Sequence, residues 1–402
     1  MDFVTRGTYI EKIRPFVGTD LVKVLVGIRR CGKSTLMSNL ATLLSDEGSN
    51  VVYINMEEWG NRALSDPEKL LAYVEEGFKG AVCNVLMVDE IQGVREWESV
   101  VRSLVATKSC DIYITGSNSK MLSSEYATYL TGRTISFDIY PLTFRECVDF
   151  DKHYGRENES EKTFQRFLRI GGFPSLWRWG FDEGDSYMAA KDIINAVVQN
   201  DIMPRFEVRN PDLLRKILHF IADNLGNPTS INRIFNMIRL ENPGVAKDAV
   251  YSYFSHLVES RLIIKVDGAD LKGHGILRSK SKYYLADHGL RNSLLGYDAG
   301  ALPGIMENII LVELLSRGYK VSVGDISGRE VDFVADKPGG RIYVQATIGI
   351  TSEEVFEREF GNLAMIKDNH PKYVVMLNPG AYSSYKGIIG ISLIEFLKSD
   401  AY

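Results

Sequence analysis

Short apolar runs rich in β-branched residues recur through the first third of the chain, each closed by small or polar residues. They are VKVLV (22–26), VVYIN (51–55), NVLMVDE (84–90), DIYITGSNS (111–119) and TISFDIY (134–140). Apolar runs of this length without polar alternation suit strands covered on both faces, as in a parallel sheet flanked by helices. The stretch STLMSNLATLL after the first run carries helical periodicity. Together they predict an α/β fold for residues 1–160, built on a parallel sheet of about five strands.

Beyond PLTFREC the rhythm turns helical. FQRFLRIGGFPSLWRW sets Gly171, Gly172 and Pro174 between two helical segments, so 161–205 is predicted as a helical lid with a break there. From 206 to 295 the elements shorten. Pro228, Thr229 and Ser230 can cap INRIFNMIRL, and Val250, Phe254, Leu257 and Val258 share one face of the following helix. LIIKVDG and SKYYLAD read as strands around a loop with Gly268, Lys272, Gly273, His274 and Gly275. Helix, turn, amphipathic helix and basic hairpin predict a winged-helix-like module. Residues 296–402 open with the helix MENIILVELL and continue with strand segments EVDFVA and RIYVQATIGI, which predict another α/β domain.

A length of 402 residues exceeds one ordinary core and agrees with several modules. The net charge of −5 excludes a surface that is basic throughout. Between Arg205 and Arg291, however, 14 Lys/Arg stand against 9 Asp/Glu, leaving the rest of the chain at −10. That asymmetry permits a nucleic-acid-facing middle, and a solvated surface gives the same count. Cys31, Cys83, Cys110 and Cys147 form no CxxC pair and no metal spacing with histidine, which argues against zinc and fits a reducing cytoplasm. MDFVTRGTYI has no signal-like apolar run, and no window reaches the roughly 20 apolar residues of a membrane helix. A cytoplasmic protein without a membrane partner is expected.

The chemistry concentrates in GIRRCGKSTLM. Gly27, Gly32, Lys33 and Ser34 meet the pattern G-x-x-x-x-G-K-[ST] between a strand and a helix, the context that pattern requires. Backbone groups from Gly27, Ile28, Arg29, Arg30, Cys31, Gly32 and Thr35 are expected to wrap nucleotide phosphates. Lys33 is expected to reach the β- and γ-phosphates and Ser34 to coordinate Mg²⁺. Asp89, ending its strand, suits the same Mg²⁺, and Glu90 beside it can polarise a water. Parallel sheets carry ligand chemistry at strand C-termini, so Thr115 and Asn118 are expected near the γ-phosphate. A strand inserted between the two motifs, with a glutamate following the aspartate, points to ATP hydrolysis rather than a GTP switch. Arg133, in TGR, is placed like an arginine finger of this or a neighbouring subunit, although a surface arginine would read alike. Arg6 and Tyr9 are placed to pack on an adenine. The histidines show no paired spacing, and Trp97, Trp177 and Trp179 read as core anchors.

GIRRCGKSTLM, VDEIQ, ITGSNSKML, LTGRTISFDIYPLTFREC and GGFP together resemble a group of prokaryotic predicted AAA+-type ATPases with a C-terminal domain of uncharacterised function. KSKYYLADHGLRN (280–292), GIMENIILVELLSRGYKV (304–321) and GREVDFVADKPGGRIYVQATIGI (328–350) extend the resemblance over nearly the whole chain. It implies ATP binding and hydrolysis through Lys33, Ser34, Asp89 and Glu90. The last hundred residues resemble the PD-(D/E)xK nuclease core, with Glu307 as the helical acid and Asp332 as the metal-binding aspartate. Gln345 and Thr347 stand where that core has its second carboxylate and its lysine. A neutral amide is a poor Mg²⁺ ligand and threonine carries no charge, so this domain is expected to lack the catalytic set.

Three functions follow as expectations. The first is an ATPase acting on DNA, with Lys247 opening the second helix of the middle module and Lys272, Arg278, Lys280 and Lys282 lining its wing. The second is an ATP-driven switch recognising a protein partner, and the least favoured is an ATP-dependent nuclease. A finger acting from a neighbour implies a homo-oligomer.

Overall fold

The computed structural model describes residues 4–80, 83–116, 132–156, 160–271, 281–380, 382–400 and Tyr402. They divide into two units, one of residues 1–140 with 259–261 and one of 141–258 with 262–402.

In the first unit, helix α1 (Gly7–Ile13) precedes β1 (Val22–Val26), α2 (Lys33–Asp46), β2 (Asn50–Asn55) and α3 (Pro67–Gly77). β3 (Asn84–Asp89), α4 (Trp97–Thr107), β4 (Asp111–Gly116) and β5 (Thr134–Asp138) complete it. The five strands coincide with the five apolar runs and pair in parallel in the order β2-β3-β4-β1-β5. Every residue of β1 and β4 is buried, which is why these strands carry no polar alternation. α4 covers the sheet with Trp97, Val100, Val101, Leu104 and Val105, spaced i, i+3, i+4, i+7 and i+8. A buried ion pair interrupts this core. Lys23 in β1 is fully buried and pairs with Asp111 at the start of β4, whose other oxygen accepts from Gly18 N and Tyr113 Oη at 2.8 Å each. Residues 259–261 return to this unit, where Arg261 pairs with Asp138.

The boundary falls at Tyr140, earlier than the expected 160. Phe144 packs edge-on against Phe164 at 5.4 Å between centroids, and Leu142 N donates to Gly172 O at 2.6 Å. Leu142 and Phe144 thus share a core with the helices that follow. The glycine break explains itself here. Gly171 has φ +77°, and a Cβ on it would fall 1.8 Å from Asp287 Oδ1, while Gly172 N donates to Asp287 Oδ2 at 2.7 Å.

Further along the second unit, α5 (Pro211–Asp223), β6 (Pro228–Thr229), α6 (Ile231–Glu241), α7 (Lys247–Glu259), β7 (Ile263–Val266) and β9 (Ser281–Leu285) build three helices and an antiparallel sheet ordered β6-β9-β7. The short β8 (Gly268–Asp270) leaves that sheet to pair with β10. The last part runs α8 (Leu302–Ser316), β10 (Lys320–Ile326), β11 (Arg329–Lys337), β12 (Gly340–Thr347), a helical segment 353–364 and β13 (Lys372–Met376). β10, β11 and β12 pair antiparallel and β13 joins β12 in parallel, giving an α-β-β-β-α-β order. β14 (Ser384–Tyr385) and β15 (Ile388–Ser392) extend this to a seven-stranded sheet.

One expectation is corrected in α8. The stretch Ala299–Ser316 is 18 residues long and apolar enough by composition to cross a membrane. It packs against β10, β11 and β12 and buries most of its residues, so its all-round apolarity is that of a core helix.

Candidate nucleotide site

At the C-terminal edge of the five-stranded sheet, β1 turns into α2 through residues 27–32. The turn needs its glycines. A Cβ on Gly27 would lie 2.2 Å from Ile139 O and 2.8 Å from Cys31 Sγ, and Gly32 sits at φ +102°. Arg30 also adopts a left-handed backbone, φ 65°, so the loop folds tightly over the start of α2. α2 has no capping side chain and no acidic residue in its first turn, which leaves its amides and positive dipole end for an anion. Lys33 is buried and folds back on its own loop, donating to Gly27 O at 3.0 Å and Ile28 O at 3.2 Å. Ser34 is exposed beside it. Arg29 pairs with Glu57 at 3.3 Å.

Arg6 and Tyr9 sit against this loop. The Arg6 guanidinium donates to Cys31 O at 3.1 Å and Tyr140 O at 2.9 Å, and lies 4.5 Å from the Tyr9 ring. Tyr9 Oη accepts from Tyr140 N at 3.1 Å. Both side chains are buried, so they brace the loop from behind instead of offering a stacking face to adenine.

The acidic pair closes β3. Asp89 is 1% exposed and Tyr53 Oη donates to its Oδ2 at 3.4 Å. Burial, reinforced by Asp89, pushes the Tyr53 hydroxyl pKa upward, so it stays a donor. Glu90 takes a left-handed backbone, φ 54°, and Gln92 donates to its carboxylate. Thr115, at the end of the neighbouring β4, donates its hydroxyl to Asp89 Oδ1 and accepts from Glu90 N at 3.0 Å. Thr115 has 0% exposure and ties the two acidic residues together. Asn118 lies outside the described residues.

Arg133 precedes β5, and its carbonyl accepts from Val22 N at 2.8 Å, at the start of β1. The phosphate loop follows the other end of that strand, about 13 Å away at the usual strand rise. Arg133 is exposed at the sheet edge opposite its own loop. A cavity of about 510 Å³ also lies at that opposite edge, lined by Thr19, Asn84, Lys108 and Asp111 among others, and takes no part in the nucleotide site.

In the second unit, Lys247 is exposed at the start of α7, 5.6 Å from the Tyr251 ring. Lys272, Arg278 and Lys280 lie outside the described residues. Lys282 contradicts its expected role on a basic wing. It is 1% exposed, and its ammonium lies 3.0 Å from Glu307 Oε2, 2.7 Å from Glu330 Oε1 and 3.5 Å from Asp332 Oδ1. The alternation of β9 turns Lys282 inward, toward the acids of α8 and β11. Tyr284 Oη donates to Glu307 Oε2 at 2.7 Å. Gln345 and Thr347 are buried on β12, with Gln345 Oε1 accepting from Asp332 N at 3.3 Å. Burial, then the nearby Asp332 charge, pushes the Glu307 carboxyl up to about 8. Sequence reading missed Glu359, buried on segment 353–364 beside Asp332 and Gln345. Among the described residues, no three or more His, Cys, Asp or Glu side chains are arranged to hold a metal.

Residues 19–148 match the AAA domain family, and residues 161–300 match a family described as a domain of unknown function. An uncharacterised Haemophilus influenzae protein is 32% identical over 395 residues, 97% of each chain. An uncharacterised Methanocaldococcus jannaschii protein is 30% identical over 307 residues, 74% of this chain and 67% of that one. Among solved structures, Aeropyrum pernix ORC1 in complex with DNA is similar at 12% identity and a TM-score of 0.31, over 73% of this chain and 93% of that one. AMPPCP-bound DnaA from Aquifex aeolicus is similar at 13% and 0.31, over 64% and 86%. Those two likenesses are too remote to carry an argument about this chain. The match over its full length does carry one: with an AAA domain near its start, the chain belongs to the family of these Haemophilus and Methanocaldococcus proteins.

Proposed function

We propose that the chain is a Mg²⁺-dependent ATPase that couples ATP binding and hydrolysis to movement of its C-terminal modules, acting on DNA. The observation that carries the ATPase reading is the link from Asp89 through Thr115 to Glu90, at the same sheet edge as the phosphate loop. Lys33 exchanges its loop carbonyls for phosphate oxygens when nucleotide enters. The loop amides and the start of α2 spread the phosphate charge. Ser34 and Asp89 offer the hard oxygen donors that suit Mg²⁺, which when bound neutralises charge on the β- and γ-phosphates. Glu90 orients the attacking water and takes its proton. Arg133 serves a neighbouring subunit's site.

DNA is the favoured partner because α5-β6-α6-α7-β7-β9, with sheet order β6-β9-β7, follows the element order of a winged helix and opens α7 with an exposed Lys247. A second reading, a protein partner, draws on exposed apolar side chains of α6 and α7: Met237 at 51%, Leu240 at 86% and Tyr251 at 37%. Steady-state ATP hydrolysis with and without duplex and single-stranded DNA separates the two. Severalfold stimulation that falls steeply with salt supports DNA, and a rate indifferent to DNA at low salt refutes it in favour of a protein.

A further inference from the structure

We propose that Arg29 reads the terminal phosphate of a nucleoside triphosphate by leaving Glu57, so that this ion pair is a latch across the nucleotide site that ATP opens and ADP leaves closed. The role rests on the nucleotide-binding reading above and adds to it a way of telling the two nucleotides apart.

The sheet order points to this role. Arg29 belongs to the loop after β1, and Glu57 stands two residues beyond the end of β2. In the order β2-β3-β4-β1-β5 these two strands are separated by β3 and β4, about 14 Å at the usual strand spacing. Arg29 Nη1 nevertheless lies 3.3 Å from Glu57 Oε1. The pair therefore passes over the C-terminal ends of β3 and β4, where Asp89, Glu90 and Thr115 lie. A phosphate chain held by the loop and directed toward Glu90 enters the same space.

The latch opens easily. The Glu57 side chain is 62% exposed and that of Arg29 26%, so water screens the pair and its rupture costs little. A terminal phosphate offers the guanidinium a fork of oxygens and more charge than one carboxylate. A diphosphate lacks that group and leaves the pair intact. Release of Glu57 acts on a segment whose two ends are fixed. Met56 N donates to Asp89 O at 3.1 Å and Arg95 N to Ser65 O at 3.0 Å, while Arg95 Nη2 lies 3.1 Å from Asp66 Oδ2. Between these anchors stands Trp59, 79% exposed, with the Arg62 guanidinium 4.8 Å from its ring. Freeing Glu57 changes the surroundings of an indole two residues away.

The test titrates the full chain with ADP and with AMPPCP, each with Mg²⁺, and follows affinity by calorimetry and tryptophan emission by fluorescence. AMPPCP should shift the emission and ADP should not. Trp59→Phe should remove the shift, since Trp97 and Trp177 are buried. Glu57→Gln, which removes the competing charge, should bind AMPPCP severalfold more tightly. Arg29→Met should bind AMPPCP about tenfold more weakly, the scale of one hydrogen bond to a charged group. ADP affinity should stay unchanged in both variants, and Glu57→Gln should add nothing in the Arg29→Met chain. Equal effects on ADP and AMPPCP would overturn the proposal and make the pair structural, as would a Trp59 signal of the same size with ADP. That emission comparison is made on the wild-type chain and does not depend on any variant folding. If AMPPCP binds but Glu57→Gln alters neither affinity, the latch is overturned and the nucleotide site stands. If the wild-type chain binds neither nucleotide, both are overturned.

Discussion

Replacing Thr115 with valine keeps the shape of a fully buried side chain and removes one hydroxyl. That hydroxyl donates to Asp89 Oδ1 and accepts from Glu90 N, so both partners lose at once. A hydrogen bond to a charged group contributes about 1.5–3 kcal/mol, and a buried amide left without a partner costs about 1–3 kcal/mol. The two losses share one site and do not add fully, so about 2–4 kcal/mol is expected. For a unit of this size that lowers Tm by roughly 10 °C. Because Glu90 loses the bond that fixes its strained backbone, ATP turnover should fall about 10- to 100-fold with a smaller change in KM. Differential scanning calorimetry of nucleotide-free protein and a coupled ATPase assay provide the two readouts, and Thr115→Ser should restore both. A residue contacting only the γ-phosphate would change turnover and leave nucleotide-free stability alone. Thr115→Val with wild-type stability would therefore refute the brace, whatever its turnover.

Three further outcomes follow from the same geometry. Gly27→Ala forces a Cβ to within 2.2 Å of the Ile139 carbonyl, so the loop must open and fluorescent nucleotide binding should be lost. Arg133→Ala and Glu90→Gln should each be inactive, yet their mixture should recover turnover if Arg133 serves a neighbour; an active Arg133→Ala alone would make it a surface residue. The Glu307 carboxyl is raised from 4.5 to about 8, so the folded chain binds the extra proton between those values and stability falls as pH rises across that window. Denaturation midpoints from pH 5 to 8 should show this slope in the wild type and a shallower one in Glu307→Gln.

The nucleotide unit was legible because its signals are local. Each of the five strands is one continuous apolar run, and the phosphate loop is contiguous. What escaped depends on register and sheet order. Thr115 meets Asp89 only because β4 lies beside β3, and Arg133 is remote from its own loop only because β5 runs parallel to β1. Lys282 read as a wing cation from its basic neighbours, whereas the alternation of β9 turns it into a pocket built by α8 and β11, whose acids lie 25 to 50 residues further on. Glu359 is separated from Asp332 by a whole strand and offered no motif. The unit boundary was misplaced because Leu142 and Phe144 look like any strand-to-helix connection until Gly172 and Phe164 are beside them.

The central claim is that Glu90 drives hydrolysis at a site bound by the phosphate loop. Measuring Mg²⁺-dependent ATP turnover and ATP affinity side by side, in wild type and Glu90→Gln, tests it most directly. The account predicts unchanged affinity with turnover lowered by about 10²-fold or more, the usual scale for losing a general base. Equal turnover in the two proteins would contradict it.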